Sequence, residues 1–208
     1  RVAPWSEEHW RIVENFAATA CKNGINLLLT PVFTPALDTY VGGERPTVQL
    51  VGVARDAEGK YTFDFSLLTR FMDMADRLGI KYFEIAHFFT QWGAAHAPKV
   101  MASTPNGYER IFGWDTDATG EEYTTFIRQF ITELLEFLKA RGDDKRCFFH
   151  ISDEPQLAHL EQYMKSKNSV LDLLEGYVIM DALSNVDFYR QGIIKNPIPC
   201  NNHIEPFL

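Results

Sequence analysis

The sequence predicts a parallel α/β fold of the (β/α)8 barrel type, of which this chain holds only a part. Helical segments alternate with short apolar runs bounded by glycine, the order of strands buried on both faces and joined by crossover helices. No GxGxxG or GxxxxGK[ST] motif opens a helix, which removes the nucleotide-binding members of the doubly wound class. A complete barrel needs eight strands and roughly 250 residues. The 208 residues here offer about five to six strands, so the chain reads as a single incomplete barrel domain with its C-terminal strands missing.

Residues 6–22 read as the first helix. Ser6 is its N-cap, Glu7 and Glu8 complement its positive end, and Trp10, Val13, Phe16, Ala17 and Ala20 form an apolar stripe before Gly24 stops it. "INLLLTP" (25–31) is a buried strand. "TVQLVGVARDAEGKYTFDF" (47–65) is a β-hairpin turning near Asp56 to Gly59, an insertion in the barrel order. Residues 65–78 are helical, Gly79 ends them, and "IKYFEIAHF" (80–88) is the next strand. The segment 89–119 shows no clear periodicity. Its aromatic content argues for an ordered functional loop rather than disorder. Residues 120–141 form the longest helix, ended by Gly142, and "CFFHIS" (147–152) is a strand. A mostly helical stretch (156–174), the strand "GYVIMDAL" (176–183), a short helix (184–191) and a strand opening at "IPCNN" (198–202) complete the order.

The formal net charge of -8 excludes proteins that grip a phosphate backbone, so no nucleic-acid partner is expected. The densest basic group (Lys139, Arg141, Lys145, Arg146) reads as a solvated helix end. Cys21, Cys147 and Cys200 are too dispersed for a disulfide framework or a structural zinc site. They fit a reducing compartment and favour a cytoplasmic location. The chain opens at Arg1 without Met, so the natural N-terminus reads as absent and export stays open. No apolar run approaches the roughly 20 residues of a membrane span, and no membrane partner is expected. A metal site built from His150, His203 and Glu205 lacks any recognisable ligand spacing, so neither metal nor other cofactor is expected. Oligomeric state is not encoded in any visible pattern. Several of the 28 aromatic residues fall outside periodic segments. Such residues suit a sugar-binding cleft, because pyranose faces stack on them, and they serve a large core equally well.

Strand alternation assigns faces. In "CFFHISDE", Cys147, Phe149 and Ile151 face the helices, while Phe148, His150 and Ser152 face the barrel interior. Parity carries Glu154 inward at the C-terminal rim, where barrel active sites lie. Asp153 points away unless the chain kinks or bulges there. On strand 80–88, Tyr82, Glu84 and Ala86 face inward, and a buried Glu84 needs a partner, for which His150 is the candidate. Tyr177, Ile179 and Asp181 share a face, with Asp181 near the rim. Three carboxylates and a histidine thus have one cavity in common.

The segments "FTQWGAAHAPKVMA" (89–102), "IFGWDTDATGEEYTTF" (111–126), "RCFFHISDEP" (146–155), "GYVIMDALSNVDFY" (176–189) and "NPIPCNNHIEPFL" (196–208) together resemble the bacterial domain of unknown function numbered 4091. That family is similar to the catalytic domain of glycoside hydrolase family 123. The resemblance runs from about residue 5 to the C-terminus and implies a (β/α)8 barrel acting on β-linked N-acetylhexosaminides, notably N-acetylgalactosaminides. It implies substrate-assisted catalysis by an adjacent Asp–Glu pair, matched here by Asp153 and Glu154. It also implies further strands beyond Leu208.

In that chemistry the 2-acetamido oxygen attacks the anomeric carbon. Glu154 serves as general acid and then base, while Asp153 orients the acetamido N–H and stabilises the positive charge that develops. Close carboxylates push each other's titration apart, which keeps one protonated. His87, Gln91, Trp92, Trp114, Asp115, His150 and Asp181 are the candidate carbohydrate-binding residues. Each has a structural alternative: an interior or supporting role for His150, loop packing for His87, Gln91 and Trp92, a loop anchor and helix entry for Trp114 and Asp115, and a cap for Asp181. The Asp153–Glu154–Pro155 run is itself compatible with a plain helix start. Two other functions stay open. One is a conventional glycosidase pairing Glu154 with Asp181 or a residue beyond Leu208, at about 5–5.5 Å for retention or 6.5–9.5 Å for inversion. The other is a carbohydrate-binding barrel without turnover.

Overall fold

A computed structural model describes residues 2–37 and 39–208. In chain order the elements are α1 (Glu7–Lys22), β1 (Leu27–Thr30), β2 (Gly52–Arg55), β3 (Tyr61–Asp64), α2 (Ser66–Leu78), β4 (Tyr82–Ile85), β5 (Val100–Thr104), β6 (Gly107–Phe112), α3 (Glu121–Arg141), β7 (Cys147–Phe149), α4 (Leu160–Asn168), β8 (Val178–Leu183), α5 (Asp187–Arg190) and β9 (Asn196–Pro199).

Two sheets organise the molecule. The first has five strands in the order β1-β4-β7-β8-β9, every neighbouring pair parallel. The second has four, in the order β3-β2-β5-β6. Parallel strands joined by helices are the predicted arrangement, but the first sheet is open rather than closed: β1 and β9 each have a single partner among the described strands. The second sheet corrects the sequence reading. Residues 89–119 are not a structureless loop, because β5 and β6 form an antiparallel hairpin there and β5 joins β2 at Ala54↔Ser103. The 47–65 hairpin forms as expected, with β2 antiparallel to β3.

The core sits between the parallel sheet and its helices and runs on under the second sheet. On α3, Tyr123, Phe126, Ile127, Phe130, Ile131, Leu134, Leu135 and Leu138 are buried, an i, i+3, i+4 stripe along the length of the helix. Phe126 and Phe130 meet Phe33 and Phe63, joining the second sheet to the core. Phe83, Ile85, Cys147 and Phe149 fill the helix-facing side of the parallel sheet, as alternation predicts. Ser6 caps α1 by accepting from the His9 N–H, and Gly79 and Gly142 end α2 and α3 in the left-handed region. Several expected core positions are not buried: Phe16 is 74% exposed on α1, Ile25 is 50% exposed, and Leu29 is 37% exposed on β1, an edge strand with no described strand on its other side. Nor is the basic cluster simply solvated: Arg141 and Arg146 grip the buried Asp143 and pair with Asp73 and Asp76.

Candidate active site

The C-terminal end of the parallel sheet is built by the segments that leave β4, β7, β8 and β9. β7 stops at Phe149, three residues earlier than predicted, and its chain runs on as a bent segment through Glu154. Backbone N–H groups of Phe88, Phe89 and Trp92 donate to the carbonyls of His150, Ile151 and Asp153 at 3.3, 3.2 and 2.8 Å. The Ser152 hydroxyl donates to the Thr90 carbonyl at 2.8 Å. Glu154 then takes φ +43°, a left-handed conformation that costs an L-residue roughly 1–2 kcal/mol. This is the kink that Asp153 requires if both carboxylates are to serve one place.

They do share one environment. The Cys200 Sγ, just past β9, lies 2.8 Å from Glu154 Oε1. Burial, the hydrogen bond to Glu154 and the charges of Glu154 and Asp153 together push this thiol up to about 11. Asp153 and Glu154 are half-buried, and Trp92 stands beside them 41% exposed with φ +66°. Cys200 is the site residue that sequence reasoning missed. Its one signal is position: it ends a strand of the same parallel sheet, and such ends share a rim.

Beneath the rim lies a charged network. His150 Nε2 is 2.8 Å from Glu84 Oε1, close enough for an ion pair but not aligned as a hydrogen bond, and its Nδ1 is 3.2 Å from Asp181 Oδ1. Glu84 with His150 is the pairing that strand parity predicts. Burial drives the His150 imidazole toward neutrality. The hydrogen bond to Asp181 and the charges of Asp181 and Glu84 outweigh it and raise the group to about 9. His87 packs against His150 at 4.3 Å between ring centroids. Burial and the charge on His150 hold it well below the usual imidazole range. Neither ring nitrogen of His87 finds a hydrogen-bond partner among the described residues.

Four of the nine predicted site residues therefore lie under the rim rather than on it. Asp181 is fully buried, His150 is 1% exposed, His87 5% and Gln91 6%. Gln91 donates to the Thr39 carbonyl at 2.7 Å and ties down the loop after β1. Asp181 departs further from expectation. Its strand-mate Ile179 is in register with Phe149, and Tyr177 packs edge-on against Phe149, so that side of β8 faces the helices. The Asp181 carboxylate accordingly accepts from Tyr163 of α4 at 2.7 Å.

Trp114 and Asp115 line an open cleft of about 250 Å³ with Glu44 and Arg110. Arg110 forks onto the Asp115 carboxylate through both Nη atoms and holds it below the usual carboxylate range. Trp114 contacts His96, whose backbone N–H donates to the Thr90 hydroxyl, and the Thr90 carbonyl accepts from Ser152. No group of three or more His, Cys, Asp or Glu is placed to hold a metal ion among the described residues, and no described helix is long and apolar enough to cross a membrane.

A family profile described as glycoside hydrolase 123, catalytic domain, matches residues 1–208. Among solved structures, a family 123 glycoside hydrolase from Clostridium perfringens, studied for glycolipid glycan hydrolysis, superposes with a TM-score of 0.69 at 15% identity. The match covers 98% of this chain and 35% of that one, so the chain spans about a third of its neighbour's length, and at this identity the likeness concerns the fold. No curated protein matches the sequence.

Proposed function

Because the chain belongs to the glycoside hydrolase 123 catalytic-domain family, we propose that it contributes the acid–base pair of a glycosidase acting on β-linked N-acetylhexosaminides, of which N-acetylgalactosaminides are the first candidates. The observation that carries this reading is the bend at Asp153–Glu154. Two consecutive carboxylates, half-buried at the C-terminal rim, stand near one thiol and beside an exposed tryptophan. We read the open parallel sheet as a sector of the (β/α)8 barrel implied by the resemblance to this family and to the 4091 domain.

The proposed chemistry is retaining and substrate-assisted. Glu154 gives its proton to the glycosidic oxygen as the C1–O bond breaks, and the substrate's own acetamido oxygen closes onto C1 from the opposite face. Asp153 accepts from the acetamido N–H and stabilises the positive charge of the cyclic intermediate. Water, deprotonated by Glu154, then opens the ring with overall retention. Consecutive side chains suit two tasks on one sugar, whereas a nucleophile and an acid on opposite faces stand about 5–5.5 Å apart across the substrate. Trp92 offers an apolar face for the pyranose.

The test is hydrolysis of nitrophenyl β-N-acetylgalactosaminide beside nitrophenyl β-galactoside by the intact protein and by Glu154→Gln. Turnover confined to the acetamido sugar, and reduced at least a hundredfold by the substitution, is the expected outcome, since general acid catalysis contributes about 10²–10⁴-fold. Turnover of the plain galactoside would mean that a protein nucleophile, not the substrate, attacks C1.

A further inference from the structure

Residues 150–153 leave β7 but do not become an unconstrained loop. On the β4 side their carbonyls are taken by the backbone N–H groups of Phe88, Phe89 and Trp92. On the β8 side the ladder ends at Phe149↔Ile179, and the register continued would set Ile151 opposite Asp181. The Asp181 side chain stands in for the ladder at that point. Its Oδ1 accepts from the Ile151 N–H at 2.9 Å and from the Ser152 N–H at 3.4 Å, and it pairs with His150 Nδ1 at 3.2 Å. Its Oδ2 accepts from the Tyr163 hydroxyl at 2.7 Å, which fixes the carboxylate from the helical layer below.

A carbonyl on β8 would hold this segment straight, as in a regular parallel ladder. A carboxylate reaching across from a side chain accepts from two successive N–H groups, which a straight strand points to opposite edges. The segment must therefore bend where it is held. The bend leads within two residues to the left-handed Glu154. Burying a carboxylate in this way demands a full set of partners, and Asp181, with no exposed surface, has donors on both oxygens.

We propose that Asp181 is a positioning residue: its buried carboxylate replaces the β8 ladder along residues 150–152 and sets the bend that delivers Asp153 and Glu154 to the rim. The assignment rests on the reading of Glu154 as the general acid. It gives a role in turnover to a residue that touches no substrate, with His150 as its counter-ion and Tyr163 as its anchor.

Asp181→Asn keeps the shape but removes the charge and one acceptor. In the intact protein its expected effect is a tenfold to hundredfold loss of kcat on nitrophenyl β-N-acetylgalactosaminide with KM changed less than about threefold, because a small misplacement of a reacting group costs up to about 10²-fold in rate. Tyr163→Phe keeps the Asp181 carboxylate but removes the donor that fixes it, loosening the Oδ1 clamp, and should give a smaller kcat loss of the same kind, which keeps the test open if the Asn variant fails to fold. Amide hydrogen exchange supplies a readout independent of activity: Ile151 and Ser152 should exchange faster in either variant while the α3 amides stay protected. Unchanged kcat and unchanged exchange in a folded variant overturn the proposal, as does a loss expressed wholly in KM. Glu154→Gln runs alongside. If that variant retains full turnover, the functional reading has failed, and exchange at Ile151 and Ser152 still decides whether Asp181 holds the bend.

Discussion

At the scale of single residues, the Cys200 thiol reports on the carboxylates it faces. An unperturbed thiol titrates near 8.5, and this one is pushed up to about 11 by burial, by its hydrogen bond to Glu154 and by the charges of Glu154 and Asp153. The thiolate is the reactive form, so iodoacetamide labelling of the Cys200 peptide should keep rising by about tenfold per pH unit well beyond pH 9. In Glu154→Gln the rise should level off at lower pH. Mass-spectrometric labelling across pH 7–11 checks this, and a plateau near pH 9 in the wild type would mean that the thiol does not face the pair. Strand parity made some of this neighbourhood legible in the sequence: Glu84 and His150 meet because both point inward from adjacent strands. At Asp181 alternation holds but the face it predicts is the wrong one: the side of β8 that carries Tyr177, Ile179 and Asp181 meets the helices, and Asp181 reaches Ile151 and Ser152 only because that segment has already left the ladder. Alternation carries no information past the last ladder bond.

Among the elements, α3 does most to join the two sheets, and its end is set by Gly142. That glycine has φ +76° and closes the helix with its N–H on the Lys139 carbonyl, one residue before the buried Asp143 that Arg141 and Arg146 hold. A Cβ at Gly142 would meet no atom within 4 Å, so Gly142→Ala tests backbone conformation alone. The expected cost is about 1–2 kcal/mol. For a chain of this size that is a fall of roughly 2–8 °C in melting temperature, measured by circular dichroism. No change would show that the helix can end without the left-handed turn. Helix ends such as this are readable because glycine after an apolar stripe has a local physical cause. The β5–β6 hairpin escapes the periodicity, although Asn106–Gly107 is a turn signal of the hairpin kind. A register shift between Val100 and Met101 breaks the alternation that would have marked β5. The pairing of β5 with β2, which brings Ser103 to Ala54 from far along the chain, has no local signature at all.

For the whole molecule, the two stacked histidines set opposite limits on stability. His150 faces Glu84 from β4, Asp181 from β8 and the ring of His87, while Asp181 itself faces Tyr163 and the charge of Lys167. Its imidazolium is favoured in the folded state, with the group raised from 6.5 to about 9. Above 6.5 the folded chain therefore binds more protons than the unfolded one, and stability falls as pH rises from about 6.5 to about 9. His87 works the other way. It is buried neutral and held well below 6.5, so below that value the unfolded chain binds the extra proton and stability falls with pH. The two slopes meet near the ordinary imidazole value, and the melting temperature of the protein should peak close to about pH 6.5. Replacing His150 with Gln removes the proton that is lost between about 6.5 and 9, so it should flatten the alkaline arm while the acid arm remains. Melting curves from about pH 4 to pH 10 on both forms check this. An alkaline arm that survives the substitution would assign it to other groups and would leave His150 as a neutral packing residue between two carboxylates. That state is hard to sustain, because a neutral imidazole has one N–H to offer and carboxylates stand at both of its nitrogens.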